Sequence, residues 1–124
     1  MRKRILLLSD DEPLIAFFQK KFPSPQFKLM VARTKEKGIE LIKEEYPQLV
    51  VLDFSIDKDW KFLEELNQEG YLIGKSLIVI FNSYQVDLIE RAQKLGAKDW
   101  ITKTEFDPQK VVLKVLNQLN FSNQ

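Results

Sequence analysis

The residues best suited to handling phosphate or a hard cation lie far apart in the chain: the adjacent carboxylates Asp10 and Asp11, the carboxylate Asp53, and the ammonium of Lys103. Each follows an apolar run. Ile5-Leu6-Leu7-Leu8 leads into Ser9-Asp10-Asp11-Glu12, Leu49-Val50-Val51-Leu52 into Asp53, and Ala97 to Thr102 into Lys103. A further run, Leu77-Ile78-Val79-Ile80-Phe81, ends at Asn82-Ser83-Tyr84. In a parallel sheet the carboxyl ends of such strands share one edge, where ligands bind. Three carboxylates, a small polar side chain and one ammonium would then converge. Two unit charges about 4 Å apart repel by roughly 4 kcal/mol at an effective dielectric of 20, so the three acids require counterions. Lys103 is one. A divalent cation with oxygen-only ligation and a few retained waters, Mg2+, would supply the rest.

The elements that must position these groups can be read from periodicity. Runs apolar on both faces are typical of a parallel sheet covered by helices. They predict strands at 4–9, 49–53, 77–81 and 97–102. Phe27, Leu29 and Val31 predict another strand at 27–32, nearer an edge. Between them lie amphipathic stretches. Pro13 suits the first turn of a helix whose apolar face is Leu14, Ile15, Phe17, Phe18 and Phe22. Thr34 is a candidate N-cap for a helix over 35–45 with Ile39, Leu41 and Ile42 inward. After a loop opened by Asp57-Lys58-Asp59, residues Trp60, Phe62, Leu63 and Leu66 form the buried face of a third helix ending near Gly70. Val86, Leu88, Ile89, Ala92 and Leu95 make a fourth, closed by Gly96, and Asp107-Pro108 caps a fifth. Right-handed crossovers at this length imply an α/β fold of five βα units, a five-stranded doubly wound parallel sheet with helices on both faces, in a single domain spanning 1–124.

Composition narrows the chemistry further. The 124 residues include no cysteine and no histidine, which removes disulfides, thiolate chemistry and most hydrolase triads. Nineteen basic and eighteen acidic residues give a net charge of +1, so no global field draws the chain to nucleic acid or anionic lipid. The basic start Arg2-Lys3-Arg4 precedes an apolar run too short for a signal peptide, and no segment is long enough to span a membrane, so a cytoplasmic location is expected. Gly70-Tyr71-Leu72-Ile73-Gly74-Lys75-Ser76 imitates a phosphate-binding loop but is one residue short and runs from helix to strand, the reverse of that motif. Asn120-Phe121-Ser122 matches a glycosylation acceptor, without a secretory signal to give it meaning.

The stretches Ser9-Asp10-Asp11-Glu12, Leu49-Val50-Val51-Leu52-Asp53 and Leu95-Gly96-Ala97-Lys98-Asp99-Trp100-Ile101-Thr102-Lys103 resemble the receiver domains of bacterial two-component response regulators. The resemblance spans essentially the whole chain and implies a flavodoxin-like three-layer α/β/α fold. It implies that Asp53 accepts a phosphoryl group from a sensor histidine kinase or phosphotransfer protein. It also implies that Mg2+ is bound by Asp11, Asp53 and the backbone carbonyl of Ser55, with Asp10 acting through water. Lys103, with Ser83 or Asn82, would contact the phosphoryl group, and Trp100 falls at the aromatic switch position. Output would be docking to a downstream protein on the face of 85–95, 98–102 and 108–119, since a chain ending at Gln124 leaves no room for an effector. Such a domain is a signalling module rather than an enzyme.

The sequence also departs from the family. The usual Pro and Gly after the phosphorylated Asp are replaced by Asp57-Lys58-Asp59-Trp60, in a loop about one residue short. Thr104 stands where Pro commonly follows the lysine, so no cis peptide is expected there. These departures favour an alternative: a pseudo-receiver that docks a partner without phosphorylation. A haloacid-dehalogenase phosphatase is disfavoured because Ser55 stands where its second Asp is needed, and a flavin fold because no phosphate-binding loop opens a helix.

Overall fold

The computed structural model describes residues 2–119. In chain order its elements are β1 (Lys3–Leu8), α1 (Glu12–Lys21), β2 (Phe27–Ala32), α2 (Lys35–Glu45), β3 (Leu49–Asp53), a 3₁₀ turn (Phe54–Ile56), α3 (Lys61–Gln68), β4 (Ser76–Phe81), α4 (Val86–Lys94), β5 (Asp99–Thr102) and α5 (Pro108–Gln118). All strand pairings are parallel, in the order β2-β1-β3-β4-β5. This is the expected doubly wound sheet, with β2 at an edge. The glycosylation match at 120–122 lies outside the described residues.

Alternation explains why the central strands are apolar throughout. Leu6, Leu8, Val50, Leu52, Leu77 and Val79 face a core shared with α2, α3 and α4. Ile5, Leu7, Leu49, Val51, Ile78 and Ile80 face a second core with α1 and α5. Burying both faces of β1, β3 and β4 leaves the strand ends as the place where polar groups can gather.

Three helix starts follow the sequence reading. Asp11 caps α1 by accepting from Leu14 N–H, Thr34 caps α2 through Lys37 N–H, and Asp107 caps α5 through Gln109 and Lys110 N–H. At Gly38 of α2, an added Cβ would lie 2.2 Å from Leu8 Cδ2, so any side chain there would force the buried Leu8 side chain or the helix to shift.

Several boundaries differ from expectation, among them the start of β5, at Asp99 instead of Ala97. β1 ends at Leu8; Ser9 after it still donates its N–H to Ala32 O at 2.9 Å, and its buried side chain donates to Asp53. α3 begins at Lys61, not Trp60, because Trp60 has φ 69, a left-handed conformation outside the helix. Among the described residues no helix is long and apolar enough to cross a membrane.

Candidate functional site

β3 ends at Asp53 between β1 and β4, which places its carboxylate at the centre of the carboxyl edge. The side chain is fully buried and meets four donors. Oδ2 accepts from Ser9 Oγ at 2.7 Å and Lys103 Nζ at 2.9 Å, and Oδ1 accepts from Ser55 N–H at 3.1 Å and Ser55 Oγ at 2.9 Å. Such charge-assisted bonds are what allow a carboxylate to be buried at all.

Lys103 reaches in from the end of β5 and donates to Asp11 Oδ2 as well, at 2.9 Å. It therefore bridges the two carboxylates. Its own hydrogen-bonding follows from β5 pairing with β4, and that pairing continues past the strands: Lys103 N–H donates to Phe81 O at 2.9 Å and Thr104 N–H to Asn82 O at 3.0 Å. The peptide after Lys103 is trans, as expected without a proline.

The electrostatics follow from this bridge. The hydrogen bond from Lys103 holds the Asp11 carboxyl below its ordinary range, against the opposing effect of partial burial. Burial pulls the Lys103 ammonium down, but the hydrogen bonds to Asp11 and Asp53 outweigh it and its pKa is raised.

Asp10 is not part of this cluster. Asp11 turns its carboxylate to Leu14 N–H and Lys103, and its neighbour is left exposed with no hydrogen bond or ion pair. Among the described residues no group of three or more carboxylates lies close enough to hold a metal, so the expected convergence of three acids is reduced to two, Asp11 and Asp53. Asn82 is exposed, and Ser83 Oγ accepts from Gln85 Nε2 at 3.2 Å, so neither hydrogen-bonds the acid pair. Trp100 is half-buried, its ring 4.9 Å beneath Lys114 Nζ, which also donates to Trp100 O and pairs with Asp99 at 3.2 Å.

Two residues that the sequence reading gave no role are central to the structure. Ser9, next to the acidic pair, donates to Asp53 and accepts from Asp11 N–H at 3.1 Å. The signal available in the sequence is a small hydroxyl residue between the apolar run and the acids. Asp57, read as a loop opener, is fully buried. Its carboxylate accepts from Phe62 N–H at 2.9 Å and Leu63 N–H at 2.8 Å, with Lys35 Nζ at 3.9 Å, and burial pushes its carboxyl above the ordinary range.

The Oδ2 atoms of Asp11 and Asp53 already converge on one cation, the Lys103 ammonium, and both are hard oxygen donors. One or two carboxylates, other oxygens and retained waters are what Mg2+ accepts. The donor chemistry fits that ion, which would have to compete with Lys103 for Asp53.

No protein-family model matches the chain. Among curated proteins of Bacillus subtilis, it is 26% identical over 117 residues to the alkaline phosphatase synthesis transcriptional regulatory protein PhoP, covering 93% of this chain and 48% of that protein. It is 31% identical over 103 residues to the "Probable C4-dicarboxylate response regulator DctR", covering 79% of this chain and 45% of that one. The chain thus spans about half the length of the curated relatives it matches. Among solved structures, a two-component response regulator from Clostridium difficile superposes with a TM-score of 0.83 at 15% identity, over 99% of this chain and 100% of that one. A CheY-like response regulator receiver domain protein from Methanospirillum hungatei gives 0.81 at 21%, over 97% and 95%. The fold is that of response-regulator receiver domains, and the resemblance read from the motifs holds in both comparisons.

Proposed function

We propose that this chain, with the receiver-domain fold as premise, is a phosphoacceptor whose Asp53 takes a phosphoryl group from a phosphohistidine on a sensor kinase or phosphotransfer protein. The observation that carries the reading is the bridge of Lys103 between Asp11 and the buried Asp53, at 2.9 Å to each. A carboxylate oxygen of Asp53 attacks phosphorus, an O–P bond forms, the P–N bond breaks, and its electron pair leaves on the imidazole. No general base is required, which suits a chain without histidine. Asp11, Asp53 and the Ser55 carbonyl would hold Mg2+, which neutralises charge on the transferring group. Lys103 would follow the phosphoryl oxygens, with Ser83 or Asn82 as the hydrogen-bonding partner from β4. Signalling is by docking of a downstream protein on the face of 85–119, without direct contact to nucleic acid or insertion into membrane.

Intact-mass measurement after treatment with acetyl phosphate and Mg2+ tests this. Wild type should gain one phosphoryl mass and Asp53→Asn should not. Equal phosphorylation of the two would overturn the assignment.

The pseudo-receiver reading is favoured by a separate observation, the four donors already on Asp53. Lack of any phosphoryl mass on wild type, with partner binding retained, would establish it.

A further inference from the structure

We infer that Asp57 is a positioning residue for the acceptor, tying the turn that carries Ser55 to the start of α3. This rests on the phosphoacceptor reading of Asp53. Every polar group of Asp57 is used. Its N–H donates to Phe54 O at 2.9 Å, which closes the 3₁₀ turn, and its carbonyl accepts from Trp60 N–H at 3.2 Å. The two carboxylate oxygens take one amide each from the first turn of α3, at Phe62 and Leu63.

Trp60, which precedes α3, offers that helix no side-chain cap. Asp57 reaches over it to cap Phe62 and Leu63, while Asp59 Oδ1 takes Lys61 N–H at 3.2 Å, and the Asp57 carboxylate also faces the positive end of the helix. Burying a carboxylate costs free energy unless its bonds are complete, so the arrangement holds only while both ends of the loop stay in place. Ser55, in the middle of the closed turn, supplies two of the four donors on Asp53 and the carbonyl assigned to the cation. Loosening Asp57 therefore loosens Ser55, and through it the acceptor carboxylate.

A merely structural role would weaken α3 without this effect, so the control is Leu66→Ala, which removes a fully buried side chain of α3 away from the loop. Asp57→Asn and Asp57→Ser each keep one acceptor for the helix start and lose the second tie. Compared with Leu66→Ala, where melting temperatures match, both should raise amide hydrogen exchange at Ser55 about tenfold or more in the absence of metal. The Mg2+ midpoint should rise several-fold and phosphorylation by acetyl phosphate should slow by about tenfold. Should Asp57→Asn fail to fold, Asp57→Ser carries the same test. Ser55 exchange no faster than in Leu66→Ala overturns the proposal. A wild type that never gains phosphoryl mass overturns the phosphoacceptor reading alone, since exchange and Mg2+ binding still decide the role of Asp57.

Discussion

At the scale of single residues the site is governed by one cation shared between two acids, and its pH dependence has a definite sign. Asp11 is held below its ordinary 3.8 chiefly by the Lys103 hydrogen bond, so the stability it contributes is present above that pH and is lost as pH falls through the lowered folded value. Lys103 is raised above 10.5, so its share is complete below that pH and lost as pH rises through the raised value. Asp57, raised by burial, acts in the opposite sense to Asp11 and loses stability as pH climbs from 3.8 through its folded value. In Lys103→Met the contribution of Asp11 at acid pH should therefore shrink, seen as a shallower change of urea midpoint below 3.8. The same variant should bind Mg2+ more tightly, by about tenfold or about 1.4 kcal/mol, because the ion no longer competes with an ammonium for Asp53. Isothermal titration of wild type and variant measures it. The residues at the strand ends were legible because strand ends in a parallel sheet are an address. Asp10, expected to act through water, stands exposed outside the hydrogen-bonded pair, because the cap of α1 orients only Asp11.

At the scale of elements, the sequence reading located every strand and helix because their periods are long and unbroken, and it failed where a tertiary contact sets the detail. Trp60 shows this. Its side chain is buried, packed 4.6 Å from Phe54 and under Arg91 at 4.6 Å, so it reads as helical core, yet its φ of 69 keeps it outside α3. Left-handed backbone costs a non-glycine residue about 1–2 kcal/mol, and here the aromatic and cation–π contacts offset it. The altered loop after Asp53 is thus built by Asp57 and Trp60 in place of the usual Pro and Gly. Gly38 was equally silent in sequence, because nothing local marks a helix that must touch Leu8 of another element. Gly38→Val should lower stability by about 1–3 kcal/mol through overpacking, measured as a shift in urea midpoint at constant slope.

At the scale of the whole molecule, the phosphoacceptor proposal requires that phosphorylation of Asp53 reach the face formed by α4, β5 and α5. Moving a two-state equilibrium from 1:99 to 99:1 takes about 5.5 kcal/mol, and charge-assisted hydrogen bonds contribute about 1.5–3 kcal/mol each. New bonds from a phosphoryl group to Lys103 and to Ser83 or Asn82 are of the right size. Trp100 is fastened on the far side by Lys114 through its ring, its carbonyl and Asp99, a restraint no sequence spacing announced. In a Trp60→Phe background, beryllofluoride with Mg2+ should shift Trp100 emission and move backbone amides along that face, and Lys114→Ala should lower the concentration needed. Shifts confined to the pocket would favour docking independent of phosphorylation. The continued pairing of β4 and β5 beyond their ends adds one consequence. Because Phe81 O and Asn82 O hold the amides of Lys103 and Thr104, the two loops have no slack between them. They leave the sheet as a single leaf: whatever tugs on the backbone of the lysine pulls Phe81 and Asn82 with it.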